Sequence, residues 1–247
     1  MRWWYSHSSA NVCFTVSIFA STHVIETETG SLFDHPEDYT PFFHVSAFAH
    51  PSLPFITGAE PERVSMAEWG LIPRWTKDEA AAHELRAMTL NARRETIYTK
   101  PSFRDAIVKR RGLLPVNAFV EWRHFEKVKQ PHLVRMIGSE IFTLGCIWEE
   151  WTNKASGEQH RTFSIVTTDA NLLMSYVHNT KQRMPVVIPR SEREAWLHAE
   201  DREILEPLMR PLDEGLLEAF RITREVSRIK VNTTEPELLE PVGDVIT

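Results

Sequence analysis

The chain has 247 residues, 42% of them hydrophobic, and a formal net charge of -6 at pH 7. This length suits one large domain or two small ones with a substantial core, and the acidic balance taken alone argues against a nucleic-acid-binding protein. No apolar run approaches the roughly 18 residues of a membrane span and no targeting signal is visible, so a cytoplasmic protein is expected. The two cysteines, Cys13 and Cys146, are too few for a disulfide framework or a structural zinc site.

The first half of the chain is predicted to mix strands, loops and short helices. Apolar alternation, turn residues and helical spacing give, in chain order, a strand over 14–19, loops with one or two short strands over 20–62, a strand over 64–69, an extended loop over 70–75, and helices over 77–88 and 103–109. Pro73 excludes a helix from the extended loop, which carries Trp75. Ser102 is the expected N-cap of the second helix.

The second half begins with strands and becomes more helical. The predicted elements are strands over 113–116, 119–122, 132–137, 141–151 and 161–168, a helix over 171–178, a strand over 183–188, a helix over 191–197 capped by Ser191, one or two further helical stretches and a late strand near 226–231. Cys146 lies inside an apolar strand and is interpreted as a core residue. With no repeat, linker or composition break, the sequence predicts a single α+β domain.

Positive charge is concentrated in one segment despite the acidic total. Between Arg86 and Arg111 there are eight basic residues and two acidic ones, and the tail from Glu235 is acidic. A basic face on an acidic body suits a polyanion bound in a groove, whereas a solvated helix face is the plainer explanation. Charge alone does not separate these two interpretations.

Cys13 stands at the start of the first predicted strand, and its chemistry depends on whether its amine is free. A cysteine with a free α-amine forms an imine with an aldehyde, and its thiol then closes a thiazolidine ring. Residues 1–12 block that amine and are interpreted as an N-terminal extension. We hypothesise that synthesis starts at Val12, because an initiating GTG codon is read as methionine, whose removal would expose Cys13. An extension that persists is the alternative.

Four further patterns place polar residues in apolar surroundings, where burial is costly without partners. They are Trp69-Gly70-Leu71-Ile72-Pro73-Arg74-Trp75, Asn91-Ala92-Arg93-Arg94-Glu95-Thr96, Phe119-Val120-Glu121-Trp122, and His178 followed by Arg183-Met184-Pro185. Each is weak alone, since a glutamate in a strand usually faces solvent and a histidine that ends a helix is usually a C-cap. Only their combination and order are informative.

In this order, after a cysteine near the N-terminus, the patterns resemble the SRAP (SOS response-associated peptidase) family, whose members covalently capture abasic sites in single-stranded DNA. The resemblance covers nearly the whole chain from Cys13 onward. It implies an SRAP domain over 13–247 with a central mixed, barrel-like sheet flanked by helices, and a function in the DNA damage response. The implied partner is single-stranded DNA containing abasic sites. No cofactor, metal or membrane is expected, and the protein is expected to be a monomer.

The resemblance also implies a role for each matching residue. Catalytic roles are implied for Cys13, Asn91, Glu121 and His178. DNA contacts are implied for Trp69, Pro73, Trp75, Arg93 and Arg183. By this resemblance, Cys13 is expected to be the nucleophile, Asn91 to hydrogen-bond the opened sugar, and Glu121 and His178 to transfer protons. The two tryptophans form a wall for bases and Arg93 binds a phosphate. If Glu121 is buried, its pKa should be raised, which keeps part of it protonated.

Two departures from the family pattern are visible. Phe14-Thr15 follows the cysteine where the family often has Gly-Arg, so one arginine contact to DNA is missing or supplied elsewhere. Four residues, Asn179 to Gln182, separate His178 from Arg183, which is more than is usual. The loop is therefore expected to be longer here, or the histidine to be displaced.

Two other functions remain open. Cys13 could be the thiolate, and His178 the base, of a cysteine peptidase that acts mainly on its own N-terminus. A protein whose Cys13 stays blocked would be a non-enzymatic single-strand-binding module with steep salt dependence. A metal enzyme is disfavoured, because the eleven histidines show no pair at helical ligand spacing with a carboxylate.

Overall fold

Two β-sheets and six α-helices make up the part of the chain that the computed structural model describes, residues 14–228 and 233–247. The strands are β1 (Thr15–Ile18), β2 (Leu32–Phe33), β3 (Phe42–Ser46), β4 (Ser52–Thr57), β5 (Glu60–Trp69), β6 (Asn91–Arg93), β7 (Arg111–Val116), β8 (Ala118–Phe125), β9 (Val128–Met136), β10 (Phe142–Thr152), β11 (Gln159–Asp169), β12 (Arg183–Pro185), β13 (Val187–Ile188), β14 (Leu217–Arg221) and β15 (Val245–Ile246). The helices are α1 (Thr22–Thr29), α2 (Glu79–Met88), α3 (Arg104–Lys109), α4 (Leu172–Val177), α5 (Arg193–His198) and α6 (Arg202–Leu208).

The larger sheet closes into a barrel. Its strands follow the order β12-β11-β10-β7-β4-β5-β2, and β11 also pairs in parallel with β5, where Thr162 lies opposite Glu68. The strands β4, β5, β7, β10 and β11 therefore form a closed ring, which removes the edges of an open sheet. Gly112 in β7 permits the close packing inside, since a β-carbon there would lie 2.4 Å from the ring of Phe55.

The second sheet is antiparallel throughout and packs on the barrel. Its order is β15-β14-β9-β8-β1-β3. On its inner face, Phe119 in β8 meets Phe142 in β10 edge to face, with ring centroids 6.3 Å apart. Its outer face carries a smaller apolar cluster that includes Val120, Leu133 and Phe220. The main core therefore lies between the two sheets, and β8 contributes to both clusters.

Arg111, the first residue of β7, joins two helix C-termini. Its side chain is buried and donates hydrogen bonds to five backbone carbonyls, those of Ile107, Val108, Trp196, Leu197 and Ala199. The first two end α3 and the last three end α5, so the cation meets the negative ends of two helix dipoles. Arg111 is therefore a structural residue and not part of an exposed basic face.

The α+β class and the barrel-like mixed sheet expected from the sequence are confirmed. The largest difference is α1, which lies in a segment expected to hold only loops and short strands. Ser21 caps this helix at its N-terminus, and Gly30, with a φ of 78°, ends it in the left-handed conformation. No helix in residues 14–228 or 233–247 is long and apolar enough to cross a membrane.

Three smaller expectations are wrong. The N-cap position of α3 is Phe103 and that of α5 is Glu192, so neither Ser102 nor Ser191 is the cap. Of the late strand expected near 226–231, residues 226–228 belong to a 3-10 helix, Arg224–Arg228, and residues 229–231 lie outside the described residues. The last strands are β14 and β15 instead, where the sequence pattern gave no signal.

Candidate active site

Cys13 lies outside the described residues, but the chain that follows it is well placed. The Phe14 carbonyl accepts a hydrogen bond from the amide of Ala47 at 2.8 Å, and β1 then runs between β3 and β8. Val16 faces Phe119 and Ser17 faces Ala118 in antiparallel register. The N-terminal end of β1 is therefore directed along β8 toward Glu121.

Glu121 and His178 meet in a buried position between β8 and the C-terminus of α4. Their side chains are 5% exposed each, and Nε2 of His178 lies 4.0 Å from Oε2 of Glu121. Nδ1 of His178 lies 3.1 Å from the carbonyl oxygen of Arg183. A carbonyl can only accept, so Nδ1 carries the proton and Nε2 presents its lone pair toward the carboxyl group.

The pKa of His178 is lowered, chiefly because burial penalises the imidazolium. The hydrogen bond to Arg183 opposes this shift, and the charges of His124, Lys181 and Arg183 add to it. The ring is thus held neutral near pH 7, which leaves Nε2 able to accept a proton.

The buried histidines predict a pH dependence of stability. Burial also lowers the pKa of His132, which lies directly opposite Glu121 on β9. Below the unfolded pKa of about 6.5, the unfolded chain binds protons that the folded chain does not, so stability falls as pH falls, by up to about 1.4 kcal/mol per pH unit for each histidine. We expect the urea midpoint to be lower at pH 5.5 than at pH 7.5. An unchanged or higher midpoint at pH 5.5 would contradict this.

Asn91 and Arg93 lie at the two ends of β6, a short strand that pairs with β11. Asn91 pairs in parallel register with Ile165 of β11, and Arg93 pairs with Thr167. Alternation along the strand places Asn91 and Arg93 on one face while Ala92 is buried in the core on the other. The guanidinium of Arg93 donates to no group within the described part of the chain, so it is available to a ligand.

Arg183 is held by partners inside the protein. Its Nη1 donates to Glu95 at 2.5 Å and to Asp169 at 3.1 Å, while Nη2 donates to the carbonyl of Thr167 at 2.8 Å. Its side chain is only 9% exposed. Arg183 therefore connects β11, β12 and the turn after β6, and its contact with DNA stays a prediction.

Trp69, Pro73 and Trp75 were all expected to contact DNA, but they differ in exposure. Trp69 is fully buried, stacks on Phe163 and donates from Nε1 to the carbonyl of Leu90, so it cannot meet a base and the predicted contact is wrong. Pro73 is also buried, and its carbonyl accepts from the amide and hydroxyl of Thr76. This turn places Trp75 at the surface, 55% exposed, as a base-stacking role requires.

Arg74 and Glu149 are two residues of this region that the sequence reasoning missed. The carboxylate of Glu149 is buried and accepts from Nε of Arg74 at 3.1 Å and from Arg110 at 2.5 Å. Arg74 is half exposed, and its two amino groups donate to no residue within 14–228 or 233–247. The available signal was a pair of glutamates at 149 and 150 in an apolar strand, one of which must face inward.

The predicted basic face between Arg86 and Arg111 is only partly at the surface. Arg86 is paired with Glu68 at 2.6 Å, Arg110 with Glu149, and Arg111 is buried. In the described part of the chain, no group of three or more His, Cys, Asp or Glu side chains is placed to hold a metal ion. The candidate site thus consists of the buried pair of Glu121 and His178. Arg74 and Trp75 at the surface, and Arg93 on β6, are candidate contacts for DNA.

Comparison with known proteins gives concordant results for sequence and structure. The family model for SOS response associated peptidase (SRAP) matches residues 12–229. Abasic site processing protein YoqW from Bacillus subtilis is 32% identical over 227 residues, which cover 85% of this chain and 97% of that protein. Abasic site processing protein HMCES from Gallus gallus is 27% identical over 205 residues, covering 73% of this chain and 58% of that protein.

A solved structure agrees over nearly the whole chain. The crystal structure of a protein from Bacteroides thetaiotaomicron superposes with a TM-score of 0.88 at 35% identity, covering 93% of this chain and all of that one. The match of the family model spans β1 to the 3-10 helix after β14, and so includes β6, β8 and α4, which carry the candidate residues. The chain therefore belongs to the SOS response associated peptidase (SRAP) family.

Proposed function

We propose that this protein binds single-stranded DNA and captures abasic sites covalently through a thiazolidine formed by Cys13. The observation that carries the proposal is the buried pair of Glu121 and His178, toward which β1 directs the residue that follows Cys13. The relatives named abasic site processing proteins support the choice of substrate. The lesion is an aldehyde in its open-chain form, which is the group that a 1,2-aminothiol traps.

The reaction needs proton transfers that the buried pair can supply. The amine nitrogen of Cys13 attacks C1′ of the open sugar to give a carbinolamine, which loses its hydroxyl as water to form an imine. The thiol sulfur then adds to the imine carbon and its proton passes to the nitrogen, so the net loss is one water. A neutral His178 can accept a proton through Nε2, and the Glu121 carboxyl group can donate to the departing hydroxyl.

The amine of Cys13 must be free for this chemistry. Either synthesis begins at Val12 and the initiating methionine is removed, or the protein cleaves its own chain after Val12, which would be its peptidase activity. The match to the family model begins at residue 12, in accord with both routes. The intact mass of protein made from its native gene tests this requirement. Both routes give the mass of a chain that begins at Cys13, whereas a persistent extension gives a mass that includes residues 1–12.

A denaturing gel tests the proposal directly. The full chain and a chain that begins at Cys13 are mixed with an oligonucleotide containing one abasic site, and a matched oligonucleotide carrying a tetrahydrofuran at that position is the control without an aldehyde. We expect a heat-stable adduct from the chain that begins at Cys13, on the abasic oligonucleotide only. Absence of this adduct from both forms of the protein would reject covalent capture and leave a binding module.

The exposed turn formed by Arg74 and Trp75 is the proposed platform for a nucleotide beside the lesion. Trp75 offers a ring face to a base, and Arg74, oriented by Glu149 through Nε, offers two amino groups to a phosphate. Arg93 is proposed for a second phosphate. Arg74 could thereby supply the arginine contact that Phe14-Thr15 lacks.

Removing the Trp75 ring should weaken binding to single-stranded DNA. Base stacking on an aromatic side chain is worth about 1 to 3 kcal/mol, so Trp75→Ala should raise the Kd roughly 5- to 150-fold. Arg74→Gln should lower the slope of log K against log salt by about 0.7, the value for one phosphate contact. Fluorescence anisotropy across a salt series measures both. Arg63→Gln, an exposed arginine paired with Asp34, is the control, and equal effects of Arg63→Gln and Arg74→Gln would contradict the assignment.

A further inference from the structure

The loop between α4 and β12 is bonded to β8 through the side chain of Asn179. The amide of His124 donates to Oδ1 of Asn179 at 2.9 Å, and Nδ2 of Asn179 donates to the carbonyl of His124 at 2.9 Å. Both backbone groups of His124 are thus paired with one side chain, in the way that a neighbouring strand would pair with them. Asn179 is the first of the four residues that separate His178 from Arg183, a spacing longer than is usual in the family that the sequence resembles.

The segment of four residues after His178 also folds back on this histidine. The amide of Gln182 donates to the carbonyl of His178 at 2.9 Å, and the carbonyl of Gln182 accepts from Ala170 at 3.0 Å. Gln182 has a φ of 50°, the left-handed conformation that turns the chain into β12. The residues after His178 therefore form a closed turn, whose connection to β8 is made by Asn179.

The two groups of the buried pair do not hold each other. Nε2 of His178 and Oε2 of Glu121 are 4.0 Å apart, which is too long for a hydrogen bond. Their separation therefore depends on the backbones that carry them and on the other contacts of each side chain. On the side before His178, Arg123 of β8 donates to the carbonyl of Tyr176, and on the side after it Asn179 binds His124. These two connections flank His178 and join it to the strand that carries Glu121.

We propose that Asn179 is a positioning residue that sets the distance between His178 and Glu121 for the covalent step. The inference rests on the proposed function, and gives it a residue that touches neither substrate nor reacting atoms. Asn179 acts through the backbone of β8, which carries Glu121 three residues before His124. A misplacement of about 1 Å between reacting groups can lower a rate roughly 100-fold, so even a partial loosening of the turn should be measurable.

The test compares Asn179→Ala and Asn179→Asp with Thr180→Ala. Thr180 is exposed, lies next in the same turn and makes no side-chain hydrogen bond to any residue that the structure describes. Aspartate keeps the acceptor for the His124 amide but cannot donate to its carbonyl. Three quantities are measured: the single-turnover rate of cross-linking at saturating abasic DNA, the Kd for the tetrahydrofuran oligonucleotide, and the pKa and tautomer of His178 by nitrogen–proton NMR of the full chain.

A positioning role predicts a split between rate and affinity. We expect Asn179→Ala to lower the cross-linking rate roughly 10-fold or more, Asn179→Asp to lower it less, and the Kd of all three variants to stay within about twofold of the unsubstituted chain. The pKa of His178 should rise in Asn179→Ala, since a loosened turn admits water and weakens the burial that lowers it. The titratable and charged groups around the His178 ring are Glu121, His124, Lys181 and Arg183, and none of them is changed in these variants.

Each other outcome decides against the inference. A cross-linking rate for Asn179→Ala within twofold of Thr180→Ala in a folded protein would overturn it, as would a loss confined to the Kd. If the unsubstituted chain forms no adduct, the proposed function fails. The NMR measurement then still decides the geometry, since an unchanged His178 pKa and tautomer in Asn179→Ala would show that Asn179 does not position the ring.

Discussion

Replacement of Cys13 by alanine is expected to abolish the heat-stable adduct with abasic DNA. Alanine at this position keeps the free α-amine, so an imine can still form, but no sulfur is present to close the ring. An imine is hydrolysed by water under denaturing conditions, whereas a thiazolidine adds a second bond to the same carbon. We therefore expect the chain that begins at Cys13 to give a band of retarded mobility on the denaturing gel, and the Cys13→Ala variant of that chain to give none.

Cys146 provides a matched control for the thiol. It is fully buried in β10 and burial raises the pKa of its thiol well above the ordinary value, so it is protonated and out of reach of DNA. Cys146→Ala should therefore cross-link like the unsubstituted chain. A heat-stable adduct from Cys13→Ala would mean that another nucleophile reacts and would refute the thiazolidine.

Loss of the Arg111 guanidinium is expected to cause the largest fall in stability. Arg111→Ala would leave five carbonyls at the ends of α3 and α5 without their donor in a buried position. Breaking a buried charged network of this kind costs about 3 to 5 kcal/mol in the free energy of unfolding. Urea denaturation measures it, and a chain that is unfolded at all urea concentrations would meet the same expectation.

A second arginine of the same segment separates this effect from charge alone. Arg104 is exposed and its side chain pairs with Asp105 at 3.8 Å. Arg104→Ala removes the same charge and should change the free energy of unfolding by no more than about 0.5 kcal/mol. Equal losses for Arg111→Ala and Arg104→Ala would show that the buried carbonyl contacts do not stabilise the fold.

Periodicity predicted most elements because their apolar patterns are long. The strands β7 to β11 and the helices α2 and α4 lie close to where alternation and helical spacing put them. The helix α1 was missed because Thr22–Thr29 is rich in β-branched residues that favour strands, so that its two ends, Ser21 and Gly30, were its only clear signal. Such a segment is helical because tertiary packing buries Ile25, which no local pattern reports.

The candidate site was predictable only through the resemblance. Glu121 lies in β8 and His178 follows α4. The two residues meet because α4 packs against β8 and β12, a long-range contact that spacing in the sequence does not encode. Trp69 and Trp75 look equivalent in the sequence, yet Trp69 ends β5 inside the core, whereas the turn that starts at Pro73 exposes Trp75. Arg111 and Arg183 also look like DNA contacts in the sequence because of their charge. In the structure, Arg111 donates to backbone carbonyls, and Arg183 donates to carboxylates and a backbone carbonyl.

The parallel pairing of β5 with β11 has a consequence for synthesis of the protein. When a ribosome has made β4, β5, β7 and β10, the strand that closes the ring, Gln159–Asp169, has not yet emerged. The nascent chain then exposes one unpaired side of β5 and one of β10, which are templates for association with other chains. Closure must wait for a partner far along the sequence, and non-local pairing of this kind is slow. A chaperone that shields these strands would therefore act before Gln159–Asp169 has emerged and the ring has closed.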